Sequence, residues 1–356
     1  MAKLTTHERM TRMFEHREAD RVPILDIPWE TTVERWHREG MPESVKFSDY
    51  FDLDHRGHIF CDHSPRYPME TVEETSEYRT YTTDWGVTLK NWKHITSTPE
   101  YIDFRIKDWD SWREAKARMV PDDARIPWDM LKRDYKAWRE KGYWVQADTS
   151  FGFDVTHSWI MGTPQVLMLM AEDPDMLTDM FNHELTVSLT MLDKVWDAGY
   201  TFDSLFWCDD MGFKLNQFFS LSMYRELIKP VQKRAIDWAH AKGVRAHLHS
   251  CGDIRPFVPE LVEIGLDGLN PIEVKAGMEP EKLKAQFGDK LLLHGGVNAV
   301  LWEDADAIIA EIERIVPVLK QSGGYIFASD HSIPDAVSFN NIRAIIETVK
   351  KAGSYN

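Results

Sequence analysis

The sequence predicts an α/β protein of the (β/α)8 barrel class, with an N-terminal helical segment and an irregular insertion. Three observations carry this. From about residue 143 onward, short apolar runs alternate with amphipathic helical stretches, as in a parallel sheet with right-handed crossovers. Several of these runs begin just after Gly199, Gly243, Gly265 and Gly324, where a glycine can end the preceding helix. The ends of the runs gather His, Cys, Asp and Glu, as barrels do at the carboxyl ends of their strands. A doubly wound sheet is the alternative. The chain carries no GxGxxG, no P-loop and no repeat of 20 to 50 residues, which lowers the dinucleotide and nucleotide-triphosphate readings.

In chain order, Met10, Met13 and Phe14 mark a helix over Thr5–Glu18 with Thr6 as its N-cap, followed by a first strand in RVPILDIPWE. Residues 31–57 read as helix interrupted at Pro42, and HIFCDH (58–63) as a second strand. Residues 64–112 are irregular, with β-prone pieces and the capping-type run Ser97-Thr98-Pro99-Glu100, and are read as an insertion or lid, with a hairpin as one form, rather than as a domain. Strands three to eight are YWVQADTS (143–150), FDSLFWCDDMG (202–212), GVRAHLHS (243–250), DGLNPIE (267–273), KLLLHGGV (290–297) and GYIFASDH (324–331). Residues 1–356 are taken as a single barrel domain.

Composition narrows the class of ligand. A net charge of -16 leaves no basic surface for nucleic acid and favours a small-molecule enzyme. The apolar run over 159–171 is broken by Gly162, Thr163, Pro164 and Gln165 and is too short to span a membrane. Three irregularly spaced cysteines, Cys61, Cys208 and Cys251, predict a reducing, cytoplasmic setting, and the N-terminus has no signal-peptide core.

The strand tips hold the candidate chemistry. His247, His249 and Cys251 alternate along one strand face, and His-x-Cys joins the two donor types zinc favours. Tips five, six and eight together offer His249, Cys251, Glu273 and His331 to one ion. Each also has a plain structural reading, as a core histidine, a solvated carboxylate or a helix cap. Asp209 and Asp210 must face opposite ways, and Asp210 is taken as the acid or substrate anchor, with Asp209 capping Met211-Gly212 or meeting an arginine. The first tip carries Asp26 and Glu30; Glu30, Asp148 and His294 are taken as substrate contacts, and Asp330 at the eighth tip as a catalytic residue with Asp210. Trp29, Trp85, Trp92 and Trp207 are candidate walls of an aromatic pocket, though such residues are more often core.

DDMG (209–212), YRELIKPVQKRAIDWAHAKG (224–243), HSCGDI (249–254), GLDGLNPIEVKAGM (265–278), HGGVN (294–298) and GYIFASDHSIP (324–334) together resemble the uroporphyrinogen decarboxylase superfamily. The Arg-Gln-Ala-Gly-Arg-Tyr signature of true decarboxylases is absent; the corresponding stretch reads DIPWETTVERWHREG. The resemblance is closer to the branch of zinc-dependent methyltransferases that work with a corrinoid protein, whose pattern is His-x-Cys followed by a distant third ligand, commonly Cys. At that third place this chain has Ser329-Asp330-His331, so the resemblance implies His331 or Asp330 instead, with Glu273 as a movable ligand. It implies methyl transfer from a small methylated donor, with methoxylated aromatics favoured, to a corrinoid (cobalamin) carried by a partner protein, and a homodimer as one assembly. A metal-independent decarboxylase and a non-catalytic binder are the competing readings.

Overall fold

The computed structural model describes residues 3–94 and 98–355. Seven parallel strands run in sheet order along the chain: β1 (Arg56–Phe60), β2 (Trp144–Ser150), β3 (Ser204–Cys208), β4 (Arg245–His249), β5 (Gly268–Asn270), β6 (Leu292–His294) and β7 (Tyr325–Ile326). The eighth place is filled by extended residues 23–28. Leu25 N donates to Phe327 O at 3.0 Å and Phe327 N to Pro23 O at 2.9 Å, while Asp54 N reaches Ile24 O at 3.3 Å on the β1 side. The predicted first strand is thus present as a hydrogen-bonded seam that closes the cylinder, with isolated parallel bridges at Ile24 and Pro28.

Helices cover the outside of the sheet, the longest being Pro174–Asp197, which buries Met176, Met180, Leu185, Leu189 and Leu192. In the sequence these side chains recur at mostly helical spacing, and that spacing marks the buried face. The first helix, Thr6–Phe14, is capped by Thr5 and not by Thr6. Thr5 has the acidic partner three positions on: Glu8 N donates to Thr5 Oγ1 at 3.2 Å and Thr5 N to Glu8 Oε2 at 2.8 Å. This helix plugs the amino end of the barrel, where Phe14 lies 5.4 Å from the ring of Trp144 and 5.7 Å from that of His247.

The insertion is more ordered than a hairpin. Thr71–Glu74, Tyr78–Thr82, Val87–Trp92 and Glu100–Phe104 form a four-stranded antiparallel sheet. Ser97, which opens the capping-type run, lies outside the described residues. Among the described residues no helix is long and apolar enough to cross a membrane.

Candidate metal centre and substrate cavity

The barrel opens at the carboxyl ends of its strands into a cavity of about 500 Å³. Strand alternation decides what enters it. On β3, Phe206 lines the cavity, whereas Trp207 is fully buried on the other face, stacked on Phe151. Trp207 is therefore not a cavity wall: if Asp210 points inward, period-two alternation sends Cys208 and Phe206 with it and turns Trp207 toward the helices. Trp85 packs near His63 and Trp92 lies beneath Lys90 in the insertion, so Trp29 alone of the four candidate tryptophans reaches the cavity.

Asp209 and Asp210 do face opposite ways. Asp209 is buried among the helices, accepting from Gln232 Nε2 at 2.8 Å and from Asp154 N at 3.0 Å. It neither caps Met211-Gly212 nor meets an arginine. Burial pushes its carboxyl up to about 8. The buried Glu184, held by Gly152 N and Thr156 Oγ1, is also raised, first by burial and then by the charge of Asp209.

Asp210 turns into the cavity and meets the β4 tip. Asp210, His249 and Cys251 place one ligand atom each within 4.8 Å of one another. Cys251 Sγ is 3.3 Å from His249 Nε2, and Asp210 Oδ1 is 3.6 Å from the same nitrogen. Cys251 N donates to Asp210 Oδ1 at 2.7 Å, which ties the two loops together. That approach depends on two glycines. A Cβ on Gly252, whose φ is +81°, would stand 2.1 Å from the carbonyl carbon of Gly212, and one on Gly212 would stand 2.7 Å from Asp253 N. The DDMG and SCGD stretches thus touch backbone to backbone, which carries Asp210 to Cys251.

His249 is oriented from behind. Its Nδ1 lies 2.5 Å from Asn270 Oδ1, and Asn270 Nδ2 donates to His294 O at 3.1 Å. Because the amide nitrogen is committed to that carbonyl, the amide oxygen faces the imidazole and Nδ1 carries the proton. The lone pair of Nε2 is left for the cavity, the arrangement metal-bound histidines use. Burial pushes the Cys251 thiol well up, and the charges of Asp210 and Glu273 push it further. Thiolate beside carboxylate is an unfavourable pairing that a cation relieves. Nitrogen, sulfur and oxygen donors with room for a further ligand match a catalytic zinc centre.

The remaining expected residues are distributed differently. Glu273 is buried just past the β5 tip with Oε2 accepting from Gly252 N at 2.6 Å, one peptide away from Cys251, but outside the three-donor cluster. His331 lines the cavity beside Trp29, 5.6 Å between rings, also outside the cluster. Asp330 lines the cavity too. Its two oxygens accept from Val274 N at 2.8 Å and Ala299 N at 2.7 Å, which fastens the loops after β5 and β6 and leaves little for proton transfer. Asp148 faces the cavity and is held by Gln146 Nε2 at 2.6 Å and His58 Nδ1 at 2.9 Å. His294 lies deep, its Nδ1 without a partner, and burial pushes it down to about 3 with help from Arg56. Glu30 opens the helix Glu30–Arg38, exposed and away from the cavity.

Arg56 and Asn270 were not among the sequence candidates, whereas Asp26 was legible as an acid at the tip of the first strand. Arg56 lies two positions before the expected start of its strand; Asp26, which burial pushes up to about 6, accepts from Ser329 N and Oγ. Asn270 had a readable signal, since it ends the strand that pairs with His249.

A model of the uroporphyrinogen decarboxylase (URO-D) family matches residues 155–352, more than half of the chain. Among solved structures, a methyltransferase from Methanosarcina mazei is similar over 98% of this chain and 99% of its own, with 16% identity and a TM-score of 0.66. Dispersin B aligns over 76% of this chain and 81% of its own at 10% identity, with a TM-score of only 0.32. No curated protein matches the sequence.

Proposed function

This chain belongs to the uroporphyrinogen decarboxylase family, and on that premise we propose that it is a zinc-dependent methyltransferase passing a methyl group from a small methylated donor to a corrinoid protein. The observation that carries the proposal is the Asp210, His249 and Cys251 cluster at the barrel mouth, with His249 already oriented by Asn270. Asp210 offers the third donor that the eighth strand does not supply as cysteine. Glu273 accepts from Gly252 N next to Cys251, His331 lines the same cavity, and both are proposed as further ligands when the cluster is loaded.

Methyl ethers and methylamines do not release a methyl group unaided, because the leaving group is too basic. Bound zinc supplies a Lewis acid for the heteroatom that carries the methyl group. The chain's own residues do the positioning. Asn270 holds the imidazole, the Gly212 and Gly252 contact holds Asp210 against Cys251, and Asp330 fixes the surrounding loops. Leu25, Ile27, Trp29 and Phe206 give the cavity apolar walls, which favours a methoxylated aromatic donor. The three cysteines are unpaired, in keeping with a proposed cytoplasmic setting.

A decarboxylase acting on a substrate with several carboxylates is disfavoured, since four aspartates and a single arginine, with no lysine, line the cavity. The test is a screen of methoxybenzoates, methanol and methylamines against reduced cobalamin, with and without zinc. Methylation of cobalamin from a methoxylated aromatic, lost with His249→Ala or Cys251→Ala, is the expected result. Transfer that survives zinc removal would overturn the proposal.

A further inference from the structure

Arg56 opens β1, where Gly57 faces outward so closely that a Cβ there would sit 2.5 Å from the Trp138 ring. Arg56 and His58 therefore turn inward, and both line the cavity. Among the described residues no carboxylate lies within 4.0 Å of the Arg56 guanidinium, unlike Arg9, which pairs with Asp20 at 2.8 Å in the barrel floor. The one hydrogen bond of the guanidinium runs from Nη1 to Gln146 Oε1 at 3.4 Å, a long one. Asp148, the acid that could neutralise it, has its oxygens taken by Gln146 Nε2 and His58 Nδ1. Gln146 stands between the two charges, its oxygen toward Arg56 and its amide nitrogen toward Asp148.

The other cavity carboxylates are likewise engaged, Asp26 by Ser329, Asp330 by two amides and Asp210 by Cys251 N. Arg56 is half-buried and feels the charge of Asp148 without an ion-pair contact, so its guanidinium has donors open to a matching anion in the cavity. His294 lines the same cavity, but its Nε2 bonds Leu25 O at 3.4 Å, so the one proton of the neutral ring sits there and the unpartnered Nδ1 is an acceptor that offers an anion nothing.

We infer that Arg56 is the anchor for a carboxylate on the substrate, so that the donor is a single-ring methoxylated aromatic acid. This rests on the proposed methyl transfer for the methoxy group alone; the anion site stands on its own geometry. A cavity of about 500 Å³ that both the arginine and the metal cluster line, with Leu25, Ile27, Trp29 and Phe206 among its apolar residues, accommodates one substituted ring.

The experiment compares para-methoxybenzoate with para-methoxybenzamide, equal in shape and different in charge, by titration calorimetry without any corrinoid. The wild-type protein is expected to bind the acid at least about tenfold more tightly, the scale of one charge-assisted hydrogen bond. Arg56→Met should remove that preference and leave amide binding unchanged, while Arg56→Lys keeps part of it. Equal affinity of the wild-type protein for acid and amide, or no binding of either, overturns the inference whether or not the variants fold. So does a folded Arg56→Met protein that still prefers the acid. A preserved acid preference with no methyl transfer from any donor would retain the anion site and sink the methyltransferase proposal alone.

Discussion

Replacing Asn270 by alanine should weaken zinc binding although Asn270 is not itself a ligand. Its side chain makes two bonds with separate jobs: Oδ1 accepts from His249 Nδ1 at 2.5 Å, and Nδ2 donates to His294 O at 3.1 Å, which prevents the amide from flipping. Without them the imidazole loses its fixed tautomer and gains a rotor, and Nε2 is no longer aimed at Cys251 Sγ, 3.3 Å away. Partners that orient a metal-bound histidine are typically worth about 10–100-fold in metal affinity, about 1.4–2.8 kcal/mol. Competition against a chromogenic chelator reads this directly. Asn270→Asp, which keeps the acceptor but loses the donor to His294 O, should fall between wild type and alanine. A Kd for zinc in Asn270→Ala equal to that of the wild type would refute the assigned role of Asn270 and the tautomer argument with it.

Further expectations concern stability and the cavity wall. Asp209 has a folded-state pKa of about 8 against about 4 unfolded, so the folded state holds the extra proton between those values and stability declines as pH rises through that window, by at most about 1.4 kcal/mol per pH unit. Denaturant unfolding at pH 6 and pH 8.5 should show a smaller drop for Asp209→Asn than for wild type, and equal drops would remove Asp209 as the cause. Gly252→Ala sets a Cβ 2.1 Å from the Gly212 carbonyl carbon at a φ of +81°, so urea melts should show a loss of more than about 2 kcal/mol together with weaker zinc binding; a loss under about 0.5 kcal/mol would contradict the close approach. Trp207→Phe should leave methoxybenzoate affinity unaltered, because the indole stacks on Phe151 outside the cavity, and a marked loss would show that it reaches the ligand.

Much of this architecture can be read from residue order. The strand tips, the inward face shared by His247, His249 and Cys251, and the opposed Asp209 and Asp210 all follow from period-two alternation. The same rule, applied to β3 from Asp210 backwards, excludes Trp207 from the cavity. The N-cap at Thr5 was also readable from Glu8 three places on.

Other features depend on how loops lie against each other. Asp210 joins His249 and Cys251 because Gly212 and Gly252 let two backbones touch, a relation between segments 40 residues apart that no local pattern contains. Glu273 and His331 stand at the expected tips, yet backbone and ring contacts aim them elsewhere. The insertion sheet was hidden because its Thr71–Glu74 and Glu100–Phe104 strands are exposed on nearly every residue, which erases the alternation that marks a half-buried strand.

X-ray absorption at the zinc edge of the loaded protein tests the metal centre most directly. One sulfur at about 2.3 Å is expected, with nitrogen and oxygen neighbours at about 2.0–2.2 Å, the sulfur disappearing in Cys251→Ser and the light-atom shell changing in Asp210→Ala. A shell without sulfur, a shell with two sulfurs, or one indifferent to both substitutions would contradict it.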